Sequence, residues 1–226
     1  MKLKLVVLTG AGISAESGLR TFRDMDGLWE GYDVYEVASQ EGWNKNPQQV
    51  LDFYNARRHD VRKALPNAAH TGLAKLEEKY DVRIITQNID DLHERGGSSN
   101  VLHLHGEITK TRSVRNEHQT YPYVADIHLG NLAADGGQLR PFIVWFGEEV
   151  PLIEKAVEEV MQADIFVIIG TSLAVYPAAG LLDVTRGNIP KYLIDKNISA
   201  ITGFHQIKTI ALPATLGVQQ LIKELM

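Results

Sequence analysis

The sequence contains no cysteine. Disulfides, thiolate metal sites and a cysteine nucleophile are thereby excluded, and any metal would need His with Asp or Glu. Positive charge is not in excess either: 23 Lys and Arg stand against 28 Asp and Glu, a net charge of −5, with no long run of like charges. A basic nucleic-acid surface is not expected. No internal repeat is evident. The uncharged stretch 165–182 comes nearest to a membrane span, but Gly170-Thr171-Ser172 and Pro177 interrupt it, so strand, turn and helix is the better reading. Lys2 and Lys4 precede an apolar core, 5–8, too short for a signal peptide. A cytoplasmic protein without membrane contact is expected. What remains is 226 residues, 44% hydrophobic and 23% charged, an ordinary globular composition sufficient for one large domain or a domain with an inserted module.

The stretch from Thr9 to Asp24 organises the chain. It follows an apolar run, 3–8, that reads as a buried parallel strand. Gly10 and Gly12 permit a tight turn and close approach of backbone N–H groups to a ligand, and Ser14 is placed to cap a helix starting near Ala15. Strand, glycine turn and helix N-terminus together make a pyrophosphate site, and residues 10–15 fit the dinucleotide pattern with Ala in third place. A plain chain reversal fits the same residues. The dehydrogenase version expects an acidic residue about 20 positions on, at the end of the second strand. Here Asp24 and Asp26 lie in a polar loop with no strand before them. A dinucleotide is expected, without ordinary dehydrogenase chemistry.

Further along, the hydrophobic spacing predicts helices over 48–65, 69–79, 152–162, near 178–185 and over 216–225. The first has Val50, Leu51, Tyr54, Val61 and Leu65 on one face. Strands are predicted over 82–86, 101–104, 142–146, 164–169 and 191–194, whereas 109–140 shows no sustained periodicity and reads as a loop-rich insert. The fold class is therefore α/β: a Rossmann-like parallel sheet with helices on both faces, plus a smaller discontinuous domain made of two insertions. The expected boundaries are 1–19, 81–105 and 141–226 for the dinucleotide-binding domain, and 20–80 with 106–140 for the small one.

Ligands of open α/β sheets bind beyond the carboxyl ends of the strands. Four such ends are unusually polar: residues 10–14, 87–91, 105–107 and 170–172. Each alone is compatible with turn or cap duty, but their coincidence on one sheet edge predicts a cleft. His105 stands at one of these ends and is suited to act as a base near neutral pH, while His103, two residues earlier, is expected to point to the opposite side. On the 48–65 helix Tyr54 lies in the apolar face with Arg57 and Arg58 flanking it, and periodicity does not choose between the arginines. A surface charge is the default reading; a phenol and a guanidinium directed at one carboxylate is the alternative.

Gly10-Ala11-Gly12-Ile13-Ser14 with Gly18 and Phe22-Arg23-Asp24 resembles the opening of the sirtuins, the NAD-dependent protein-lysine deacylases. Gln87-Asn88-Ile89-Asp90, Leu104-His105-Gly106, Phe146-Gly147-Glu148 and Gly170-Thr171-Ser172 match four further sirtuin motifs in the family's order, so the likeness spans about 5–225. The resemblance implies transfer of an acyl group from a protein or peptide lysine to ADP-ribose, with release of nicotinamide. It assigns His105 as catalytic base, with Asn88 and Asp90 positioning the nicotinamide ribose and carboxamide. It places Gly10, Ala11, Gly12, Ser14, Ala15, Thr21, Phe22, Arg23, Gln87, Ile89, Gly170, Thr171 and Ser172 around NAD, Phe22 shielding the reactive sugar carbon. Val144, Phe146, Gly147, Glu148 and Val175 would meet the acyl-lysine substrate. Tyr54-Asn55-Ala56-Arg57 matches the family's Tyr-x-x-Arg motif of members that prefer acidic acyl groups, which selects Arg57, and Ala38 resembles the small residue of that pocket. Desuccinylase and demalonylase activity is thus implied, with deacetylation alongside.

Two departures qualify the likeness. Sirtuins usually hold a structural zinc with two cysteine pairs, but Ser113, Asn116, Leu132 and Asp135 occupy those places, so no metal is expected. Asp195 replaces a frequent Asn at the adenosine end, where it would accept from ribose hydroxyls and disfavour NADP; Ala214 aligns beside the adenine. An ADP-ribosyltransferase or NAD glycohydrolase on the same fold, and a non-catalytic NAD or ADP-ribose sensor, are the competing readings.

Overall fold

The computed structural model describes residues 2–20, 28–29, 31–198 and 207–226. In chain order its first half contains β1 (Lys4–Thr9), β2 (Leu28–Trp29), β3 (Tyr32–Asp33), α1 (Val34–Val37), α2 (Gln40–Lys45), α3 (Pro47–Lys63), α4 (Ala68–Leu76), β4 (Asp81–Thr86), α5 (Leu92–Arg95) and β5 (Val101–His103). The second half contains β6 (Gly106–Ser113), β7 (Thr120–Pro122), β8 (Leu139–Ile143), α6 (Ile153–Met161), β9 (Ile165–Ile169), β10 (Lys191–Ile194), β11 (Ile207–Ile210) and α7 (Ala214–Leu225). No described helix is long and apolar enough to cross a membrane.

Leu5, Val6, Val7 and Leu8 are wholly buried, as expected for a strand covered on both faces. β1 is central in a six-stranded parallel sheet of order β11-β10-β9-β1-β4-β5, with Val7 opposite Ile84 on one side and Val167 on the other. Strand alternation splits the core. Leu5, Val7, Ile84 and Val167 pack with Leu73 and Leu76 of α4 and Val218 and Leu221 of α7. Val6, Leu8, Ile85, Phe166 and Ile168 pack on the other face with Ala156 and Val160 of α6. Strand order reverses beside β1, so the crevice of the topological switch point opens between the β1 and β9 ends.

A third core joins α1–α3 to a three-stranded antiparallel sheet, β7-β6-β8, through Val50, Leu51, Tyr54, Ile108, Ile143 and Trp145. α3 begins where its signals lie: the Asn46 side chain accepts from Gln49 N, Pro47 opens the helix, and Arg62 and Lys63 close it.

Several expectations need correction. The helix expected from Ala15 is two short 3-10 turns, 11–13 and 15–17, because the Ser14 side chain makes no cap bond and Gly18 turns left-handed at φ +89°. The helix near 178–185 is a 3-10 segment, Ala178–Leu182. Leu65 falls beyond the end of α3 and is 71% exposed, so it is not part of the apolar face. The strand expected over 142–146 runs 139–143 and pairs antiparallel with β6, which carries it across the expected boundary at 141. Residues 109–140 are not simply loops, since most of β6 and all of β7 lie there. β11 was not anticipated.

Candidate active site

At the switch point the two glycine turns pack directly on each other. Gly10 N donates to Ile169 O and Gly12 N to Gly170 O, at 3.0 and 2.8 Å. A Cβ on Gly10 would lie 2.7 Å from Thr171 Cβ, and one on Gly12 2.7 Å from Gly170 Cα. The space these glycines leave is filled by the neighbouring turn, and the Gly12 N–H is committed to it. Ala11 and Ala15 are half-buried, Ser14 is buried, and the turn is fastened at Glu16, whose carboxylate accepts from Thr215 N and Oγ1 at the start of α7.

Beneath this turn lies a connected polar cluster. Ser14 Oγ donates to Asp90 Oδ2 at 3.1 Å and accepts from Asn88 Nδ2 at 3.1 Å. Asn67 N donates to His70 Nδ1, so the proton of the neutral His70 ring is on Nε2, 3.5 Å from Ser14 Oγ. Burial lowers the His70 pKa to about 4, keeping it neutral. Burial pushes the Asp90 carboxyl above its ordinary value, while bonds from Leu92 N and Ser14 and the charge of His103 pull it back. Gln87 and Thr171 join the ends of β4 and β9, the strands on either side of β1, through Nε2 and Oγ1 at 3.1 Å. Ile89 and Ser172 are half-buried beside them.

His105 is half-buried, with Nδ1 3.0 Å from Gln87 O. A carbonyl only accepts, so Nδ1 carries the proton and the neutral ring keeps its lone pair on Nε2. Burial holds the His105 pKa below the usual value, against the opposing pull of the Gln87 carbonyl. A neutral imidazole with a free Nε2 lone pair is a base. The two histidines are not parted as expected, because residues two apart along a strand face the same side: β5 stops at His103, the chain turns at 104–105, and His103 Nδ1 meets Asn88 O at 3.0 Å, one residue from the His105 contact.

The second group of predicted residues lies on the first insert and on the chain just after the second. Tyr54 is wholly buried; its hydroxyl accepts from Trp145 Nε1 at 3.2 Å, and burial pushes the phenol pKa up, leaving it neutral. The two arginines after it diverge. Arg58 Nε donates to Ile108 O and its Nη1 to Asn55 Oδ1 and Ala125 O, which makes it a brace for the small sheet. Arg57 is 6% exposed, one helical turn from Tyr54. Ala38 is buried in the same core, and its carbonyl accepts from Phe146 N at 2.9 Å. Val144 N donates to His105 O, which ties the two predicted groups together. Phe146 is 39% exposed against Tyr35, and Gly147 has φ +87°. Glu148 is engaged internally: it takes Arg140 Nη1 at 2.8 Å, Arg112 Nη2 at 2.9 Å and Trp145 N at 2.9 Å. Arg140 also stacks on the Trp145 ring, 3.1 Å from its centroid.

Asp195 is buried at the end of β10 and accepts from Asn197 N, while Ala214 is buried in the first turn of α7. Val175 is 39% exposed after the β9 turn. Thr21, Phe22 and Arg23 lie outside the described residues. At the positions aligned with zinc ligands, Ser113 Oγ donates to Asp135 Oδ1, which also accepts from Gly137 N, both at 2.8 Å; Leu132 is exposed. Among the described residues no cluster of three or more His, Cys, Asp or Glu could hold a metal. Sequence reasoning missed His70, and the Glu94 carboxylate that meets His103 Nε2 at 2.8 Å. Both depend on contacts between elements, for which single-sequence periodicity carries no signal.

Comparison with known proteins identifies the family. The chain is 59% identical over 191 residues to an NAD-dependent protein deacylase of Helicobacter pylori, covering 84% of this chain and 83% of the relative. It is 51% identical over 223 residues to an NAD-dependent protein deacylase of Bacteroides thetaiotaomicron, covering 96% and 95%. A mutant Sir2 homologue in complex with ADP-ribose superposes with a TM-score of 0.88 at 35% identity, over 99% of this chain and 92% of the other. The Sir2 family profile matches residues 10–177, and the chain belongs to the Sir2 family.

Proposed function

We propose that this protein is an NAD-dependent protein-lysine deacylase that favours succinyl and malonyl over acetyl groups. The observation that carries the reaction type is the neutral His105, its Nε2 lone pair set at the same sheet edge as buried Asn88 and Asp90. The donor set suits the dinucleotide: an amide, a carboxylate and hydroxyls converge from neighbouring strand ends. NAD would supply the ribosyl carbon and hydroxyls that receive the acyl group as nicotinamide leaves. Asn88 and Asp90 would hold the nicotinamide ribose and carboxamide; such positioning contributes several kcal/mol to catalysis, on the order of 7 in favourable cases. His105 Nε2 would remove a ribose hydroxyl proton.

The acyl preference rests on Tyr54 and Arg57. A neutral phenol and a buried guanidinium on one helix face present donors to a carboxylate at the end of the acyl chain. An acetyl group offers them nothing. The residues at the aligned zinc positions support an insert that is held without metal, because Ser113, Asp135 and Gly137 bond to one another.

The test is incubation with NAD and matched acetyl-, malonyl- and succinyl-lysine peptides, following free lysine peptide and nicotinamide. A kcat/KM for the acidic acyl peptides about tenfold or more above acetyl is expected from one charge-assisted contact. Deacetylation alone would remove the carboxylate clamp and leave the enzyme class. Nicotinamide release with no deacylated peptide would replace the whole reading by NAD hydrolysis or ADP-ribosyl transfer.

A further inference from the structure

The loop carrying Asn88 and Asp90 is held from beneath by a histidine that plays no part in the chemistry described above. His103, 7% exposed, ends β5. Its Nδ1 lies 3.0 Å from Asn88 O, at the start of the loop, and its Nε2 lies 2.8 Å from Glu94 Oε1, on α5 after it. One ring therefore spans both ends of the segment that presents Asn88 and Asp90. A backbone carbonyl and an ionised carboxylate are both acceptors, so both contacts are satisfied only when both ring nitrogens carry protons.

We infer that His103 is a positioning residue that works as an imidazolium, clamping Asn88 O to Glu94 and so setting the Asn88–Asp90 loop for the dinucleotide. This rests on the deacylase reading for what the loop binds. The titratable groups around the ring are Glu94 and His93 of α5, Glu107 of β6 and Asp90 of the loop, with Lys110 of β6 next to Glu94; burial keeps His93 neutral. Burial alone would lower the His103 pKa; the bond and charge of Glu94, then the Asn88 carbonyl and the charge of Glu107, outweigh it and hold it above the usual value. Glu94 is held below its usual value, because the bond and charge of His103 outweigh its own partial burial. The cation also reaches Asp90, favouring its ionised form. His103 and His105, two residues apart, thus have opposite duties: one keeps both protons and holds the loop, the other gives up a nitrogen lone pair to the reaction.

The direction with pH follows. A His whose folded pKa is raised contributes its stabilisation in full below its unfolded pKa and loses it as pH rises through the folded value. The clamp therefore weakens on the alkaline side, and removing Glu94's charge brings that loss to lower pH.

The decisive experiment combines 15N NMR of the ring with NAD affinity, measured by calorimetry without acyl peptide, in the wild type and in Glu94→Gln, Glu94→Asp and His103→Gln. Glu94's side chain is 42% exposed, so its substitutions are compatible with folding. Expected are a doubly protonated ring at pH 7.5 in the wild type and a neutral one in Glu94→Gln. The Kd and KM for NAD should rise about tenfold in Glu94→Gln and His103→Gln, the scale of a lost charge-assisted hydrogen bond. Peptide KM should move less than about twofold in both, and Glu94→Asp should recover most of the affinity. A neutral wild-type ring at pH 7.5 overturns the inference. So does unchanged NAD affinity in Glu94→Gln, or an equal loss toward NAD and peptide that tracks a fall in Tm. A wild type that binds NAD but deacylates no peptide sinks the deacylase reading, and the affinity ratios still decide the clamp; a wild type that binds no NAD overturns both.

Discussion

The two sides of the proposed reaction are built from different materials. The cofactor edge is made of short polar residues at the ends of parallel strands, linked across strands by Ser14 to Asn88 and Asp90, Gln87 to Thr171, and Gly12 to Gly170. The acyl side is made of rings and guanidinium groups from the inserts: Trp43 against Trp145 at 5.6 Å, Phe53 against Tyr54 at 5.1 Å, and Arg140 over Trp145. Backbone position fixes the first, whereas side-chain volume fixes the second. A change at the cofactor edge should therefore damage every reaction, while a change on the acyl side should alter which acyl group is taken.

Four substitutions would break or sharpen this contrast. The largest effect belongs to His105→Ala, expected to lower deacylation of every acyl peptide by roughly 10²–10⁴-fold while NAD affinity by calorimetry stays within a few-fold. Equal sensitivity of NAD binding would mean that the ring only supports the fold. Gly170→Ala comes next. At φ +63° its Cβ would lie 2.5 Å from Ile13 N, so a loss of about 3 kcal/mol in denaturant unfolding is expected, with activity on all substrates falling together. Arg57→Met should lower succinyl- and malonyl-lysine kcat/KM by about tenfold or more and leave acetyl-lysine nearly unchanged. A uniform loss across the three peptides would erase the distinction between the two sides. The smallest effect is that of Tyr54→Phe, which strands the Trp145 Nε1 donor in the core. About 1–2 kcal/mol of stability should go with it, together with a few-fold loss confined to the acidic acyl peptides.

What the sequence revealed follows the same division. β1, β4 and β9 read as strands because β-branched and aliphatic side chains fill both faces, and the glycine and Asn-Asp turns mark where they end. β6 escaped because few of its buried positions are apolar. Along β6 the inward residues include Gly106, Ile108, Thr111 and Ser113, with Thr111 bonded to Arg140 O and Ser113 to Asp135. Polar atoms satisfied by partners 20 to 30 residues away carry no hydrophobic period. β11 escaped for a simpler reason: Lys208 and Thr209 are exposed on a four-residue edge strand. The residues of the cofactor edge were legible as types and positions, but not their wiring. Ser14 looked like a helix cap and proves to be the junction of Asn88, Asp90 and His70.

The position of β1 has a consequence for biosynthesis. β1 is made before both of its neighbours in the sheet, which are completed only at Thr86 on one edge and Ile169 on the other. Until residue 170 has left the ribosome, Gly10 and Gly12 have no opposing turn, and until Thr215 follows, Glu16 has no helix to fasten. Such long-range closure makes folding slow and leaves an apolar strand edge unpaired until β9 is made. The cleft cannot exist before β9 is made, so a product truncated before β9 carries an exposed strand and no site.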